Sequence, residues 1–441
     1  MLRDYQKTVY HDIRKAFTND FKAVLGVLPC RSGKSYIIAE ITKNSYGTVL
    51  IMAHRLELLE QIKALLEELN IKNVRVASVF TEVKRLGKYA KPSLIIIDEA
   101  HLSEAKSYKL VCEYYNAPII GFTATPSRLD GKKLSLYDCL VEGVSTKELI
   151  KEGAIADFEY YAPNIALDFD SVSVSYGEYN NKELTEILCQ SKIYGDVIKY
   201  YRELGNNQQA ICYCASVRHS QMVAELFTSN GIVASSIDGS MRKSVRSEII
   251  NAFKNNKIQV LCNCNLISEG ITLPNASVGM LLRPTMSLPL YIQQAMRVLT
   301  PLEEKKSTII DFVGNFQRHG LPDEGREWTL EGIQKKRSVN DDGSFIIRRC
   351  DKCFKVFKTA NKCPYCGYEY ETKGRELENM KSVELKKITE EEKQALELQK
   401  KQMRMEVGRA RTKADLIKIA KCRGYNMKWV GIQMRVKNIR N

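Results

Sequence analysis

Leu28-Pro-Cys-Arg-Ser-Gly-Lys-Ser35 is the stretch whose reading decides the fold. It follows the apolar run Ala23–Pro29 and opens an amphipathic segment, so it lies where a strand turns into a helix. Backbone N–H groups at such a helix start cradle phosphate. Gly33 lets the backbone approach closely, Lys34 reaches the β- and γ-phosphates, and the Ser35 hydroxyl suits Mg²⁺. The first glycine of the general pattern is absent, because Leu28 stands there, and Arg31 occupies a position where glycine is common. Read alone, the match leaves open a chance Gly-Lys-Ser at a helix start. Asp98-Glu-Ala-His101 narrows it. This motif ends the run Leu94–Ile97, which places Asp98 and Glu99 at the carboxyl edge of a buried strand, where open parallel sheets bind ligands. Asp98 there suits Mg²⁺, and Glu99 suits orienting and deprotonating an attacking water. The bland alternative, two acids capping a turn, is disfavoured by the loop upstream.

Outward from these two motifs, short apolar runs alternate with helical patterns. Candidate strands are Ala23–Pro29, Thr48–Ala53, Ser93–Asp98 and Pro118–Thr123, then Gln209–Cys214, Val233–Ile237, Gln259–Asn263, Ser277–Leu282 and Ser307–Phe312. Amphipathic stretches such as Leu56–Leu69 and Arg218–Asn230 separate them. The pattern predicts an α/β chain of two parallel-sheet domains in tandem, over 1–190 and 191–330. A cysteine-bearing segment follows at 341–370 and a basic helical region at 371–441. There the Glu/Lys/Gln-rich stretch Glu371–Val407 reads as a long exposed helix, and Thr412 with Asp415 resembles a capping box before Leu416–Cys422.

The 441 residues suffice for several domains, and 44% hydrophobic with 27% charged is ordinary for a soluble globular chain. No apolar run approaches the length of a membrane-spanning helix, and Met1–Lys15 lacks the apolar centre of a signal peptide. A cytoplasmic location is expected. The net charge of +15 is uneven: residues 331–441 hold 28 of the 67 Lys+Arg but only 15 of the 52 Asp+Glu. That excess points to a polyanion, most simply nucleic acid, against a plain solvated face. In the tail, Arg409, Arg411, Lys413, Lys421, Arg423, Lys428, Arg435, Lys437 and Arg440 form a dense cationic series around Tyr425 and Trp429. Arg411 and Lys428 are taken as contacts to a duplex or branched backbone.

The thirteen cysteines do not read as a disulfide scaffold. Cys212, Cys214, Cys262 and Cys264 alternate inside apolar runs, as buried strand residues would. Cys350, Cys353, Cys363 and Cys366 instead pair as two Cys-x-x-Cys turns. Four thiolates suit tetrahedral Zn²⁺ in a structural site, with four-sulfur iron and two disulfides as the other fates of such a set. Phe354, Lys355, Phe357 and Lys358 lie in the intervening loop, where rings beside cations suit strand binding or simply a small core.

The ordered motifs resemble those of superfamily 2 helicases of DEAH type, whose ATPase core is two RecA-like domains. Leu2-Arg-Asp-Tyr-Gln6 looks like the adenine-reading motif, with Arg3 and Gln6 as nucleotide contacts. Val49–Arg55 with Leu58–Gln61 looks like a backbone-gripping motif, which gives His54 and Arg55 to nucleic acid. Phe122-Thr-Ala-Thr-Pro126 is similar to the coupling motif, with Thr123 and Thr125 acting beside His101. Ser236–Gly239 and Ser268-Glu-Gly-Ile271 resemble second-domain motifs, which gives Gly239 and Ser268 to nucleic acid and Glu269 and Gly270 to the nucleotide. Gln293-Gln-Ala-Met-Arg297 resembles the final motif facing ATP, with Arg297 as an arginine finger. Gly121–Gly131, Leu282–Thr285, Leu290–Gln294 and Asp311–Gly320 look closest to RadD-like bacterial DNA-repair helicases and their phage relatives.

The resemblance implies ATP and Mg²⁺ bound by Arg31, Ser32, Gly33, Lys34, Ser35 and Asp98, and turnover served by Lys34, Asp98, Glu99, Gln293 and Arg297. Zn²⁺ would sit in the cysteine segment. DNA, single-stranded, forked or branched, is the expected partner of a monomer, with other repair or replication proteins as further candidates. The final motif departs from its usual Gly-Arg-x-x-Arg at Met296 and Thr300. The expectation is therefore a DNA helicase or translocase, with an RNA-acting motor or a weakly hydrolysing ATP-gated clamp as alternatives.

Overall fold

Runs of five apolar residues bury both faces of a strand only if helices cover both sides of the sheet, and this chain builds two such sheets. The computed structural model describes residues 2–128, 131–163, 169, 171–175, 177–190, 194–266, 273–302, 305–332, 347–358, 360, 362–370, 412–423, 430 and 434. In the first sheet, β1 (Ala23–Val27), β2 (Val49–Ala53), β3 (Val74–Ser78), β4 (Leu94–Asp98), β5 (Ile119–Thr123) and β6 (Cys139–Glu142) lie in the order β3-β2-β4-β5-β1-β6, all parallel. Alternate residues feed opposite cores. Val24, Ile51, Ile96 and Ile120 meet the helices Asp4–Thr18 and Lys34–Lys43, while Leu25, Met52 and Ile97 meet the helix Lys106–Tyr115. Each such side chain contributes about 1.5–3 kcal/mol relative to exposure.

The second sheet repeats the plan. It contains β7 (Phe158–Tyr161) and, after a small hairpin of β8 (Val174–Ser175) and β9 (Glu178–Tyr179), the strands β10 (Ala210–Tyr213), β11 (Ala234–Asp238), β12 (Val260–Cys264), β13 (Val278–Leu281) and β14 (Ser307–Asp311). Their order is β11-β12-β10-β13-β14-β7, again parallel. Cys212, Cys214 and Cys262 are fully buried on one face, as free thiols, and Cys264 is half-buried.

One correction concerns the domain boundary. The second sheet takes its edge strand β7 from upstream of the boundary expected at 190, because β7 pairs with β14 from Phe158 to Tyr161. The helix Thr146–Lys151 also packs Leu149 into the second core. The chain later returns. Leu330 accepts the N–H of Leu134 at 2.8 Å, and Trp328 and Leu330 pack on the first domain's core.

The cysteine segment is fastened to the second sheet. Its hairpin, β15 (Ile347–Arg349) and β16 (Val356–Lys358), packs Val356 and Ile347 into that core. The Ala162 N–H donates to Phe354 O at 3.0 Å, Tyr161 bridges Lys355, and Lys355 meets Glu159 at 2.6 Å. Residues 1–370 accordingly form one compact unit and 371–441 another. In the latter, the helix Lys413–Arg423 is opened by reciprocal bonds between Thr412 and Asp415, at 3.0 and 3.2 Å. Leu416, Ile419, Ala420 and Val430 form its small core. The helix expected over Glu371–Val407 lies outside the described residues.

Candidate nucleotide site and its surroundings

The phosphate loop leaves β1 and enters the helix Lys34–Lys43, with Gly33 as its N-cap. Gly33 has φ +78°, which favours glycine, and a Cβ there would force the amide of Gln6 to shift. Gln6 ties this loop to the first helix: Oε1 accepts the Arg3 N–H at 2.9 Å, and Nε2 donates to Ser32 O at 2.9 Å. Tyr5 donates its hydroxyl to the same carbonyl at 2.9 Å. Lys34 Nζ lies 3.4 and 3.2 Å from the loop's own carbonyls at Leu28 and Pro29. A phosphate would take the place of those weak contacts.

Asp98 ends β4, and its Oδ1 accepts the N–H of Glu99 at 3.0 Å. Glu99 is itself left-handed, at φ +51°. His101 Nδ1 stands 3.4 Å from Glu99 Oε2 and 3.2 Å from Thr123 Oγ1. Burial raises the Glu99 pKa, but the His101 hydrogen bond and the charges of His101, Lys34 and His54 outweigh it and hold the carboxyl down to about 2. Thr123 Oγ1 donates to Thr125 O at 3.1 Å, so His101, Thr123 and Thr125 form one chain of contacts leading away from Glu99.

The opposite wall is the helix Leu288–Met296, which brings Gln293, Met296 and Arg297 to the same cleft. Together the walls enclose a cavity of about 610 Å³ that also touches Arg3, Gln6, Ser32, Gly33, Lys34, Ser35, Asp98 and Glu99. The structure thus gathers most of the expected nucleotide residues. Arg31 spans the cleft, donating from Nε to Met296 O at 2.9 Å and from Nη2 to Arg297 O at 2.5 Å. Ser35 and Asp98 have the chemistry for Mg²⁺, which takes few protein oxygens and completes its shell with phosphate and water. Bound there, Mg²⁺ would neutralise developing phosphate charge.

The expected nucleic-acid residues are less gathered. Arg55 donates to Asn265 O at 3.1 Å, across to the second domain. Beside it, Lys243 pairs with Glu60 at 2.9 Å and Arg246 with Glu57 at 3.6 Å. Burial and the neighbouring Arg55 charge bring the His54 pKa down to about 4. Gly239 has open space around it, after Asp238 has turned the chain by accepting from Ser240. Ser268, Glu269, Gly270, Arg411 and Lys428 lie outside the described residues.

Cys350, Cys353, Cys363 and Cys366 bring their Sγ atoms within 4.8 Å of one another. Cys350 and Cys366 are 3.5 Å apart and Cys353 and Cys363 3.8 Å, far beyond a disulfide bond of about 2.05 Å. Four sulfurs about 2.3 Å from one Zn²⁺ would stand close to 3.8 Å apart, so the set fits the ion. Phe357 is buried against these cysteines, and Phe354 makes an edge contact with Tyr200. Phe357 packs inward and Phe354 partly so, while Tyr365 and Tyr368 are exposed.

Sequence reasoning placed Arg31 among the nucleotide residues but missed its cross-cleft bonds, which no local pattern signals. It also missed how the later motifs cooperate. Asn315 donates to Arg283 O and accepts from Thr285 N, at 3.0 and 3.1 Å. Asp311 accepts from Phe316 N and from the Tyr160 hydroxyl, at 2.9 and 2.8 Å. Tyr291 donates to Gly320 O at 2.8 Å and stacks on His319. The segments Leu282–Thr285 and Asp311–Gly320 therefore form one scaffold with the helix Leu288–Met296, which carries Gln293 and ends at Arg297.

Comparison with known proteins agrees with this geometry. Residues 1–86 and 74–128 match the family described as type III restriction enzyme, res subunit, and residues 191–300 match the helicase conserved C-terminal domain. The chain is 35% identical over 407 residues to a 51.5 kDa protein of a Lactococcus phage (isolate 7-9), with 88% of each covered. It is 29% identical over 355 residues to a protein named as an ATP-dependent helicase, IRC3, of Saccharomyces cerevisiae (strain ATCC 204508 / S288c), covering 71% of this chain and 52% of that one. It therefore spans about half the length of the yeast relative. A fragment of an HsdR subunit of a type I restriction enzyme from Vibrio vulnificus YJ016 shares the fold with TM-score 0.56 and 16% identity, over 78% of this chain and 70% of that one. Two parallel-sheet domains closing on a phosphate loop define an ATP-hydrolysing enzyme of helicase type. Within that class, the chain belongs to superfamily 2 of the helicases.

Proposed function

We propose that the chain is a DNA-stimulated ATPase of the DEAH type, akin to RadD-like enzymes, that uses ATP to move along, unwind or remodel DNA. One observation carries this reading: Lys34 and Glu99 stand on one wall of the cleft and Gln293 and Arg297 on the other, each wall belonging to a different sheet. A nucleotide held by both walls favours the closed arrangement, and hydrolysis removes that preference, so turnover drives relative motion of the domains. Lys34 and the loop N–H groups hold the phosphates, Ser35 and Asp98 hold Mg²⁺, Glu99 orients and deprotonates water, and Arg297 meets the charge developing on the transferred phosphoryl. Arg3 and Gln6 flank the base, and His101, Thr123 and Thr125 carry the state of the site toward the strand.

DNA is favoured over RNA because the matched family and the solved neighbour are both named for restriction enzymes. His54, Arg55, Gly239 and Ser268 would touch its backbone, and the tail, with Arg411 and Lys428, would add charge without reading sequence. The cysteine segment would hold Zn²⁺ with all four thiolates, a closed structural site. The deciding experiment is steady-state ATP hydrolysis without nucleic acid and with single-stranded DNA, forked DNA and RNA. DNA should stimulate most, and Glu99→Gln should lower kcat by ~10²–10⁴-fold while nucleotide still binds. Stimulation by RNA alone would move the substrate. Binding without turnover would make the chain an ATP-gated clamp.

A further inference from the structure

Arg31 occupies an unusual place twice over. Its backbone is left-handed, at φ +67°, a conformation glycine adopts without strain and arginine does not. Its side chain does not turn toward the phosphate-binding N–H groups of its own loop. It reaches the other domain and donates two hydrogen bonds, from Nε to Met296 O and from Nη2 to Arg297 O. Those carbonyls belong to the last residue of the helix Leu288–Met296 and to its C-cap, the end that carries the helix's partial negative charge, and Met296 O also accepts the Leu299 N–H at 3.2 Å. A planar guanidinium with two parallel donors matches them. From the other side, the same stretch of main chain is anchored by Met296, whose side chain is buried in the second domain's core. Burial and the like charge of nearby Arg297 bring the Arg31 pKa down to about 10, so two guanidiniums share this end of the cleft and together favour an anion.

We propose that Arg31 is a positioning residue that acts through Arg297. By gripping the main chain at Met296 and Arg297 from within the phosphate loop, it fixes the Arg297 guanidinium at the γ-phosphate, in a motif whose second arginine is replaced by Thr300. The proposal rests on the reading of the cleft as an ATPase site. It differs from a role for Arg31 as a second arginine finger, because the Nε and Nη2 donors already face carbonyls.

The test is steady-state hydrolysis by the full chain, with kcat and KM for ATP taken separately. Arg31→Gly relaxes the backbone and removes the grip together with one of the two charges, which Arg31→Lys restores without the fork. Arg31→Gly should lower kcat about tenfold or more with KM changed less than about threefold. Arg31→Lys, a charge without the fork, should recover only part of the loss. Arg297→Ala should lower kcat further, and Arg31→Gly/Arg297→Ala should match Arg297→Ala alone, because Arg31 acts through Arg297. Losses that multiply, or an unchanged kcat in Arg31→Gly, would overturn the proposal. If the unsubstituted chain hydrolyses no ATP, the ATPase reading fails separately. Amide exchange across residues 291–300 then decides the grip: faster exchange in Arg31→Gly supports it, and equal exchange overturns it.

Discussion

At Glu99, three constraints meet in one side chain. The residue is buried, its backbone is left-handed, and its carboxylate faces His101 at 3.4 Å. Because the pKa is held at about 2, protonation of Glu99 does not limit turnover above pH about 4, and an acid limb at higher pH would belong to another group. Histidines give the folded state its own acid limit. His219 is fully buried, with Nδ1 accepting the Ala215 N–H at 3.2 Å, and desolvation brings its pKa down to about 4. The unfolded chain takes that proton near pH 6.5, so protons favour unfolding and stability falls as pH drops from about 6.5 to about 4. His54 and His319, also held at about 4, steepen the same slope. His219→Asn keeps an acceptor for the Ala215 N–H but cannot titrate. Its thermal midpoint should decline less between pH 6.5 and 4 than that of the parent chain, and parallel declines would refute this account.

Among the elements, the edge strands decide what was legible. All nine strands expected from apolar runs are present, because runs such as Leu94–Ile97 announce burial on both faces. The short hairpin strands β8, β9, β15 and β16 were missed, and in the two large sheets so were β3, β6 and β7, all edges, where Val74-Arg-Val-Ala-Ser78, Cys139-Leu-Val-Glu142 and Phe158-Glu-Tyr-Tyr161 mix polar and only partly buried positions with apolar ones. The loop and acid motifs were legible because backbone geometry and phosphate chemistry dictate their residue types. The grip of Arg31 was not, since it joins residues far apart in the chain. The β7 edge also links the cysteine segment to the core. If its thiolates hold Zn²⁺, chelation should unfold 347–370 and speed amide exchange at Phe158–Ala162, while β1, β2, β4 and β5 keep their protection. Unaltered exchange at Phe158–Ala162 would mean that the docked hairpin holds without metal.

On the scale of the whole molecule, residues 371–441 form a unit of their own and hold 19 Lys+Arg against 10 Asp+Glu. Ending the chain at Tyr370 should leave basal hydrolysis within about twofold, weaken DNA binding, and flatten its dependence on salt, because fewer counterions are released. An unchanged salt slope would remove the tail from the interface. Within residues 1–370, the path of the backbone matters as much as its contacts. The chain crosses between the two sheet domains three times: after β6, again before Trp328 and Leu330 reach the first core, and between Gly332 and the docked Ile347. Two bodies on one flexible leash drift apart and swivel, and each closure must then recover lost orientation. Several covalent passages keep the halves at high effective concentration even when the cleft is open. Closing then requires little search, so less of the free energy of nucleotide binding goes into recovering orientation.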